Sequence, residues 1–395
     1  MLSGKRVVLG VTGSIACYKA LDLASKLTQA GALVDTIMTR GAAQFVTPLA
    51  FRSLTHRPVV TDAFDADSEY AVEHVELARL ADVIVVAPAT VHTIAKLSMG
   101  LADDPLTTTA VASKSPLMVA PAMDADMYEN PATQENLERL RLRGAVIAGP
   151  GQGRLASGLT GWGRLLETPE LMGYVAYTLG RHGDLKGRTI VVSAGGTAEP
   201  IDPVRVITNH SSGKMGYAVA EAARDRGARV VLVSAARALP NPPMVDVVPV
   251  STAQQMCDAV LSRTEDADAL IMAAAVADYR PLTAADQKIK KSDEDLNIPL
   301  AKTVDILATA RGNFVRVGFA AESENLVANA AAKVTSKSLD LIAANDITSE
   351  GSGFGTDTNR VALIDRDMNV EELPLLTKYE VANRILDRVA GLFPG

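Results

Sequence analysis

Two glycine-bearing turns are the segments of this 395-residue chain whose composition first suggests chemistry. They are Gly10-Val11-Thr12-Gly13 and Ser211-Ser212-Gly213-Lys214-Met215-Gly216. Glycine between a strand and a helix lets backbone N–H groups approach an anion at the helix N-terminus. The first turn lacks the third glycine of the dinucleotide fingerprint, which makes a nicotinamide cofactor a poor match. The second fails as a phosphate-binding P-loop, with Met215 where Ser or Thr should follow Gly-Lys and Thr208 at the leading glycine. Phosphate-bearing ligands are expected, of no set class. His74, with a side chain that titrates near neutral pH, could carry a proton. Taken alone it also reads as a structural histidine, and Lys288, Lys290 and Lys291 read as a solvated basic turn. Cys17 and Cys257 are too few for a disulfide framework or a cysteine zinc site, and both read as small apolar helix residues.

The elements that must hold these residues alternate strand with helix. Val7–Val11 is a β-branched run, followed by Ala20, Leu23, Ala24 and Leu27 at helical spacing, a stop at Gly31 and a strand over Val34–Met38. Strands over Val83–Val86, Leu117–Ala120 and Ala145–Ala148 alternate with helices over Ala89–Met99 and Thr133–Leu142. After a polar break at Arg181-His182-Gly183-Asp184 the pattern restarts. Strands are expected at Thr189–Ser193, Arg229–Val233, Ala269–Ala275, Phe314–Phe319 and Leu339–Ala343, with a helix over Gly216–Arg226. Continuous apolar strands between helices imply parallel sheets covered on both faces. The expected fold is α/β, with two Rossmann-like three-layer domains, 1–183 and 184–395.

Composition sets limits on function. Apolar residues make up 48% and charged residues 22%, enough for a sizeable core and unlike a disordered chain. Aromatics are 4%, and 39 Lys plus Arg face 46 Asp plus Glu, a net charge of −7. Both figures argue against nucleic-acid binding by stacking or by charge. No apolar run approaches the ~20 residues of a membrane span. Lys5-Arg6 and the stretch ending Ser14-Ile15-Ala16-Cys17 imitate a lipoprotein signal, but Gly10 and Gly13 break it and it runs into an amphipathic helix. A cytoplasmic, unprocessed chain is expected.

Longer constellations are more specific. Gly13-Ser14-Ile15-Ala16, His74 within Val72–Leu77, Ala87-Pro88-Ala89-Thr90 and Pro121–Tyr128 together resemble the flavin-dependent cysteine decarboxylases that bind FMN. In the second half, Asp202–Gly216, Ala273–Arg280 and Lys288-Ile289-Lys290-Lys291 stand in order. Over nearly the whole chain, the two sets resemble the bacterial bifunctional phosphopantothenoylcysteine decarboxylase/phosphopantothenate–cysteine ligases of coenzyme A biosynthesis. The resemblance implies a flavodoxin-like first domain and a nucleotide-binding second one. It implies that CTP with Mg2+ or Mn2+ activates 4′-phosphopantothenate as an acyl-cytidylate, which cysteine attacks. FMN then serves decarboxylation of 4′-phosphopantothenoylcysteine to 4′-phosphopantetheine. It further implies a trimeric contact in the first half and a dimeric one in the second, which together close into a dodecamer. An active ligase whose flavin domain is partial, regulatory or an assembly module stays open.

The same resemblance assigns residues. Gly13, Ser14, Thr39, Ala89, Thr90 and Thr107 would face the flavin, with His74 as acid/base. Met272, Ala273, Ala274, Asp278, Lys288, Val304, Asp305, Ile306, Leu307, Phe319, Lys333 and Lys337 would face CTP, with Asp278 also on the metal. Lys288 would offset phosphate charge, and Asn209 would donate to the acyl-cytidylate or to the oxyanion formed on attack. Two positions depart from the family pattern. Asp124 replaces the asparagine of Pro-x-Met-Asn, and Ser157 replaces the catalytic cysteine before Gly161-Trp162-Gly163-Arg164. A hydroxyl is far less acidic than a thiol, so Asp124 or water would have to supply the proton.

Overall fold

Strands that are apolar at every position need cover on both faces, and the chain supplies it twice. A computed structural model of the protein describes residues 2–62, 73–291, 295–322, 324–346, 353 and 355–394. The chain divides into two compact units, Met1–Gly180 and Arg181–Gly395.

In the first unit β1 (Arg6–Val11), β2 (Leu33–Met38), β3 (Val59–Val60), β4 (Val83–Ala89), β5 (Leu117–Pro121) and β6 (Val146–Ile147) form one parallel sheet. Its order is β3-β2-β1-β4-β5-β6. An antiparallel hairpin of β7 (Gly151–Arg154) and β8 (Thr160–Arg164) stands outside it. The helices are α1 (Cys17–Gln29), α2 (Pro48–Thr55), α3 (Glu73–Leu80), α4 (Val91–Met99), α5 (Pro105–Ala112), α6 (Ala125–Glu129), α7 (Pro131–Leu142) and α8 (Thr168–Gly180). Alternation splits the core in two. Val7, Leu9 and Val11 pack against Leu23 and Leu27 of α1 and Leu171 and Val175 of α8. Val8, Ile84 and Val86 pack on the other face with Leu77, Ile94, Leu106 and Leu137.

The second unit repeats the scheme. The strands β9 (Thr189–Ala194), β12 (Arg229–Ser234), β13 (Asp246–Pro249), β14 (Ala269–Met272), β17 (Val315–Glu322), β18 (Leu341–Asp346), β20 (Val361–Asp365) and β21 (Val370–Glu372) share one sheet. Its order is β13-β12-β9-β14-β17-β18-β20-β21, parallel up to β18 and antiparallel beyond. Three two-stranded ribbons flank it: β10 (Ala198–Pro200) with β11 (Val206–Thr208), β15 (Tyr279–Pro281) with β16 (Leu300–Lys302), and β19 (Thr358–Asn359) with β22 (Leu376–Thr377). Helices α9 (Lys214–Arg224) and α13 (Lys378–Leu392) cover one face, α10 (Ala253–Leu261) and α12 (Leu326–Lys337) the other, and α11 (Ile306–Thr309) is a single turn. No helix among the described residues is long and apolar enough to cross a membrane.

Several expectations change in detail. The helix expected from Ala89 starts at Val91, because Ala89 still pairs with Pro121 of β5 and Thr90 caps the helix. The strand expected over Ala269–Ala275 ends at Met272. Beyond it, Ala274 N–H turns to Ser193 Oγ (3.1 Å) and Ala275 N–H to the Gly195 carbonyl (2.9 Å). The antiparallel strands β20 and β21 extend a sheet that the apolar pattern alone describes as parallel.

Close packing of α9 on β9 depends on Gly216. A Cβ there would lie 2.6 Å from Ala194 Cβ and 2.7 Å from the Ser193 carbonyl oxygen, a rigid wall. We expect Gly216→Ala to destabilise the second unit by about 1–3 kcal/mol through overpacking. Urea unfolding of the full chain measures this, and an unchanged midpoint would mean that α9 shifts at no cost.

Candidate functional sites in the two units

In the first unit the strand order reverses between β1 and β4, the switch point at which sheets of this class leave a crevice beyond the carboxyl ends of their strands. Thr12 ties its two walls together. Its Oγ1 donates to the Pro88 carbonyl (2.7 Å) and accepts from Thr90 N–H (3.0 Å), in a buried position. Gly13 and Ser14 form the turn into α1, where Ser14 Oγ accepts from Ala16 N–H (3.2 Å). Thr39, beyond β2, accepts from Ala42 N–H through Oγ1 (3.3 Å). Ala89 ends β4, and Thr90 caps α4. Thr107 lies in the first turn of α5, fully buried, its hydroxyl on the Asp104 carbonyl (3.3 Å). Burial pushes the Asp104 carboxyl up, but hydrogen bonds from Lys96 and Thr107 outweigh it and hold it below the ordinary range. His74 is half-buried in the first turn of α3. Ser113 Oγ, just past α5, donates to the Ala78 carbonyl near the end of α3 (2.9 Å), so these helices lie side by side and both begin at the crevice end.

Asp124 precedes α6 and Ser157 sits at the tip of the β7–β8 hairpin, and the two side chains meet: Ser157 Oγ donates to Asp124 Oδ2. The hairpin is held by main chain as well, with Met123 N–H on the Gly163 carbonyl (2.9 Å). Gly163, at φ +143°, has the Met123 carbonyl oxygen 2.2 Å from where a Cβ would stand, so no other residue fits there. The two departures from the family pattern are thus one contact.

The second unit holds a cavity of about 890 Å³. Its walls come from the segment after β14, the carboxyl half of β17, the first turn of α9 and the face of α12. Met272, Ala273, Ala274 and Asp278 line it from one side, and Val304, Asp305, Ile306 and Leu307 from another. Phe319, Lys333, Lys337 and Asn209 complete the wall. Asn209 Nδ2 donates to the Val276 carbonyl (3.2 Å), and Lys337 Nζ pairs with Asp305 (3.1 Å). Lys288 is the exception: it is exposed on the loop before Ile289 and does not line the cavity.

Lys214 and Lys378 line the same cavity and were not among the expected residues. Lys214 Nζ reaches Asp357 (2.7 Å) and the Gly355 carbonyl (2.9 Å). Lys378 is buried, with Nζ on the carbonyls of Thr356 (2.6 Å) and Thr358 (3.1 Å); burial pushes its pKa down, and nearby Lys214 adds to this. The Gly-Lys pair was a signal for Lys214. A single lysine at the start of the last helix carries none, because folding alone brings it to the site.

Comparison with known proteins follows this division. The Flavoprotein family model matches residues 1–180, and the DNA/pantothenate metabolism flavoprotein C-terminal domain model matches 185–392. The coenzyme A biosynthesis bifunctional protein CoaBC of Bacillus subtilis (strain 168) is 44% identical, over 99% of this chain and 98% of its own length. The protein of the same name from Vibrio vulnificus (strain YJ016) is 43% identical over 99% and 98%. The chain belongs to this bifunctional family. It is an enzyme of coenzyme A biosynthesis that joins a decarboxylase to a ligase, and a purely regulatory first half is not favoured. A crystal structure of the C-terminal domain of a CoaBC protein is 41% identical over 53% of this chain and 97% of that one, with a TM-score of 0.46.

The Thr12 hydroxyl gives a direct test of the crevice's construction. Thr12→Val keeps the shape but leaves the buried Pro88 carbonyl and Thr90 N–H without it, which should cost about 1–3 kcal/mol. Thr12→Ser should recover most of the loss. Equal stability of all three proteins in thermal unfolding would rule out the hydroxyl as the tie.

Proposed function

We propose that the second unit uses CTP and a divalent cation to convert 4′-phosphopantothenate to its acyl-cytidylate, which the amine of cysteine attacks. The first unit, with FMN, then decarboxylates 4′-phosphopantothenoylcysteine to 4′-phosphopantetheine. The observation that carries this reading is the single cavity shared by Asn209, Asp278 and the lysines 214, 333, 337 and 378. A carboxylate does not acylate an amine at neutral pH without a leaving group, and these cations suit the phosphates of an activating nucleotide.

Each residue then has a physical task. Asn209, already aimed at carbonyls across the wall, offers N–H donors to the acyl group or the oxyanion. Among the described residues no three His, Cys, Asp or Glu side chains cluster as metal ligands. Mg2+ fits such a site through one carboxylate, Asp278, together with substrate phosphates. Lys288 would neutralise phosphate from the exposed loop before Ile289, outside the cavity lining.

The first crevice suits FMN by its donor set, with the hydroxyl of Ser14 at the start of α1, that of Thr90 capping α4 and that of Thr39 beyond β2. Thr107, whose hydroxyl and backbone N–H both donate to Asp104, would line the site rather than donate to the flavin. FMN bound there supplies reversible two-electron oxidation of the substrate, which gives the electrons left by CO2 a place to go. His74 would move the proton at the substrate thiol end. Ser157 Oγ, hydrogen-bonded to Asp124, would relay a proton drawn from solvent in place of the thiol. Exposed Ile15, Tyr18, Phe45 and Leu49 near the crevice support a contact between copies, within the expected dodecamer. Two free thiols, Cys17 and Cys257, accord with a reducing cytoplasm.

Mass spectrometry of a mixture of phosphopantothenate, cysteine and CTP tests the reading. We expect phosphopantetheine, CMP, pyrophosphate and CO2, and His74→Asn should stop the mixture at phosphopantothenoylcysteine. Equal or better turnover with ATP would overturn the nucleotide assignment.

The Ser157–Asp124 contact yields a second expectation. The native chain should convert phosphopantothenoylcysteine fully under anaerobic conditions, whereas Ser157→Ala should accumulate a product two hydrogens lighter. The lighter product from the native chain would show that the pair does not deliver the proton.

A further inference from the structure

Asp202 is a buried carboxylate that the proposed chemistry does not use. Its side chain is fully removed from solvent and accepts five hydrogen bonds. Two come from the backbone N–H groups of Val204 and Arg205 (2.8 Å each) and form an ordinary turn around an aspartate. The other three exceed what a turn needs. Arg205 donates through Nε (2.9 Å) and Nη2 (2.5 Å), and Ile289 donates its backbone N–H (3.1 Å) across 87 positions of chain. Arg205 Nη2 also donates to the Ile289 carbonyl (2.7 Å). Both main-chain groups of Ile289 are therefore held by one ion pair. Four residues earlier, Ala285 N–H donates to the Ile201 carbonyl (2.9 Å), so the segment 285–289 is fastened at both ends to the turn 201–205.

The same turn feeds the cavity. Arg205 leads directly into β11, and Asn209 follows that strand. The ribbon is fixed in turn by Thr208 Oγ1 on the Thr197 carbonyl (2.8 Å) and by Ala277 N–H on Thr197 Oγ1 (2.9 Å). One rigid mount thus carries Asn209 on the cavity wall and Lys288 on the fastened loop.

We infer that Asp202 is a positioning residue for ligation, which acts through Arg205 and the main chain of Ile289 to fix Lys288 relative to Asn209. This rests on the reading of Lys288 as a phosphate-neutralising group. A lysine on an exposed loop samples many positions, and its charge helps a reaction only where it stands ready beforehand. Loss of such readiness can cost ~100-fold without loss of the group itself. Arg205 holds the Asp202 carboxyl far below the ordinary carboxylate range, so the mount stays charged at any working pH.

The test is a double-mutant cycle on CTP-driven ligation by the full chain. Asp202→Asn keeps an acceptor for the turn but weakens the hold on Arg205 and Ile289. We expect a ~100-fold fall in kcat for ligation, unchanged FMN-dependent decarboxylation, and at least tenfold faster hydrogen exchange at the Ile289 amide. In a Lys288→Ala background the same change should add less than threefold, since its effect runs through a lysine no longer there. A full ~100-fold additional loss in that background would overturn the proposal. Normal ligation by Lys288→Ala alone would instead overturn the reading of Lys288. If Asp202→Asn does not fold, Arg205→Lys, which keeps the charge but loses the fork, takes its place in the cycle under the same criteria.

Discussion

Parallel strands cannot be joined by a tight hairpin, so each return between parallel strands of the two main sheets must cross a face and re-enter from the same end. That constraint organises this molecule. It places every segment that follows a parallel strand at one edge of its sheet, and it separates the segments after β1 and β4, and after β9 and β14, at the point where the order reverses. Both candidate sites occupy those gaps. In the second unit the gap is narrowed by a bridge between Gly196 and Ala275, and the chain beyond it becomes the cavity wall.

Register in these sheets is pinned by a repeated device. Asp82, Asp268 and Asp340 each stand immediately before a strand, and each accepts the N–H of the first or second residue of the neighbouring strand. The partners are Arg6, Thr189 and Arg316, all at 2.8 Å. The carboxylates also take charged partners: Lys5 on Asp82, Arg188 on Asp268 and Arg366 on Asp340. A charge-assisted bond to a strand's opening N–H satisfies a group that the ladder leaves unpaired, and it resists sliding by one residue. Asp202 does for a loop what these three do for strands.

The two units differ in how their sites are closed. In the first, a hairpin is laid over the segment after β5 and fastened by main chain at Gly163 and by side chains at Ser157 and Asp124. An asparagine–cysteine pairing would make a weaker contact at that point than a hydroxyl on a carboxylate does. In the second, lysines from distant parts of the chain gather around one cavity, and their mutual repulsion is relieved by Asp305 and Asp357 and by carbonyl groups.

Much of the fold was legible in the residues themselves. Val7–Val11, Val83–Val86 and Ile190–Val192 are short, β-branched and apolar at nearly every position, the pattern of a strand buried on both faces. The glycines beside them marked where strands meet helices, and the long motifs carried the family. Other features had no local signature. Nothing in Ala269–Ala275 marks Met272 as the last paired residue, because that depends on Ser193 and Gly195 arriving from another strand. The antiparallel turn at β20, the arrival of Lys378 at the cavity and the meeting of Ser157 with Asp124 are likewise products of long-range packing. Local propensity and periodicity act over a few residues, so the sequence by itself determined the elements and their faces. Which side chains share a site depends on sheet order and loop docking across 30 to 170 positions, and only the tertiary structure decided that.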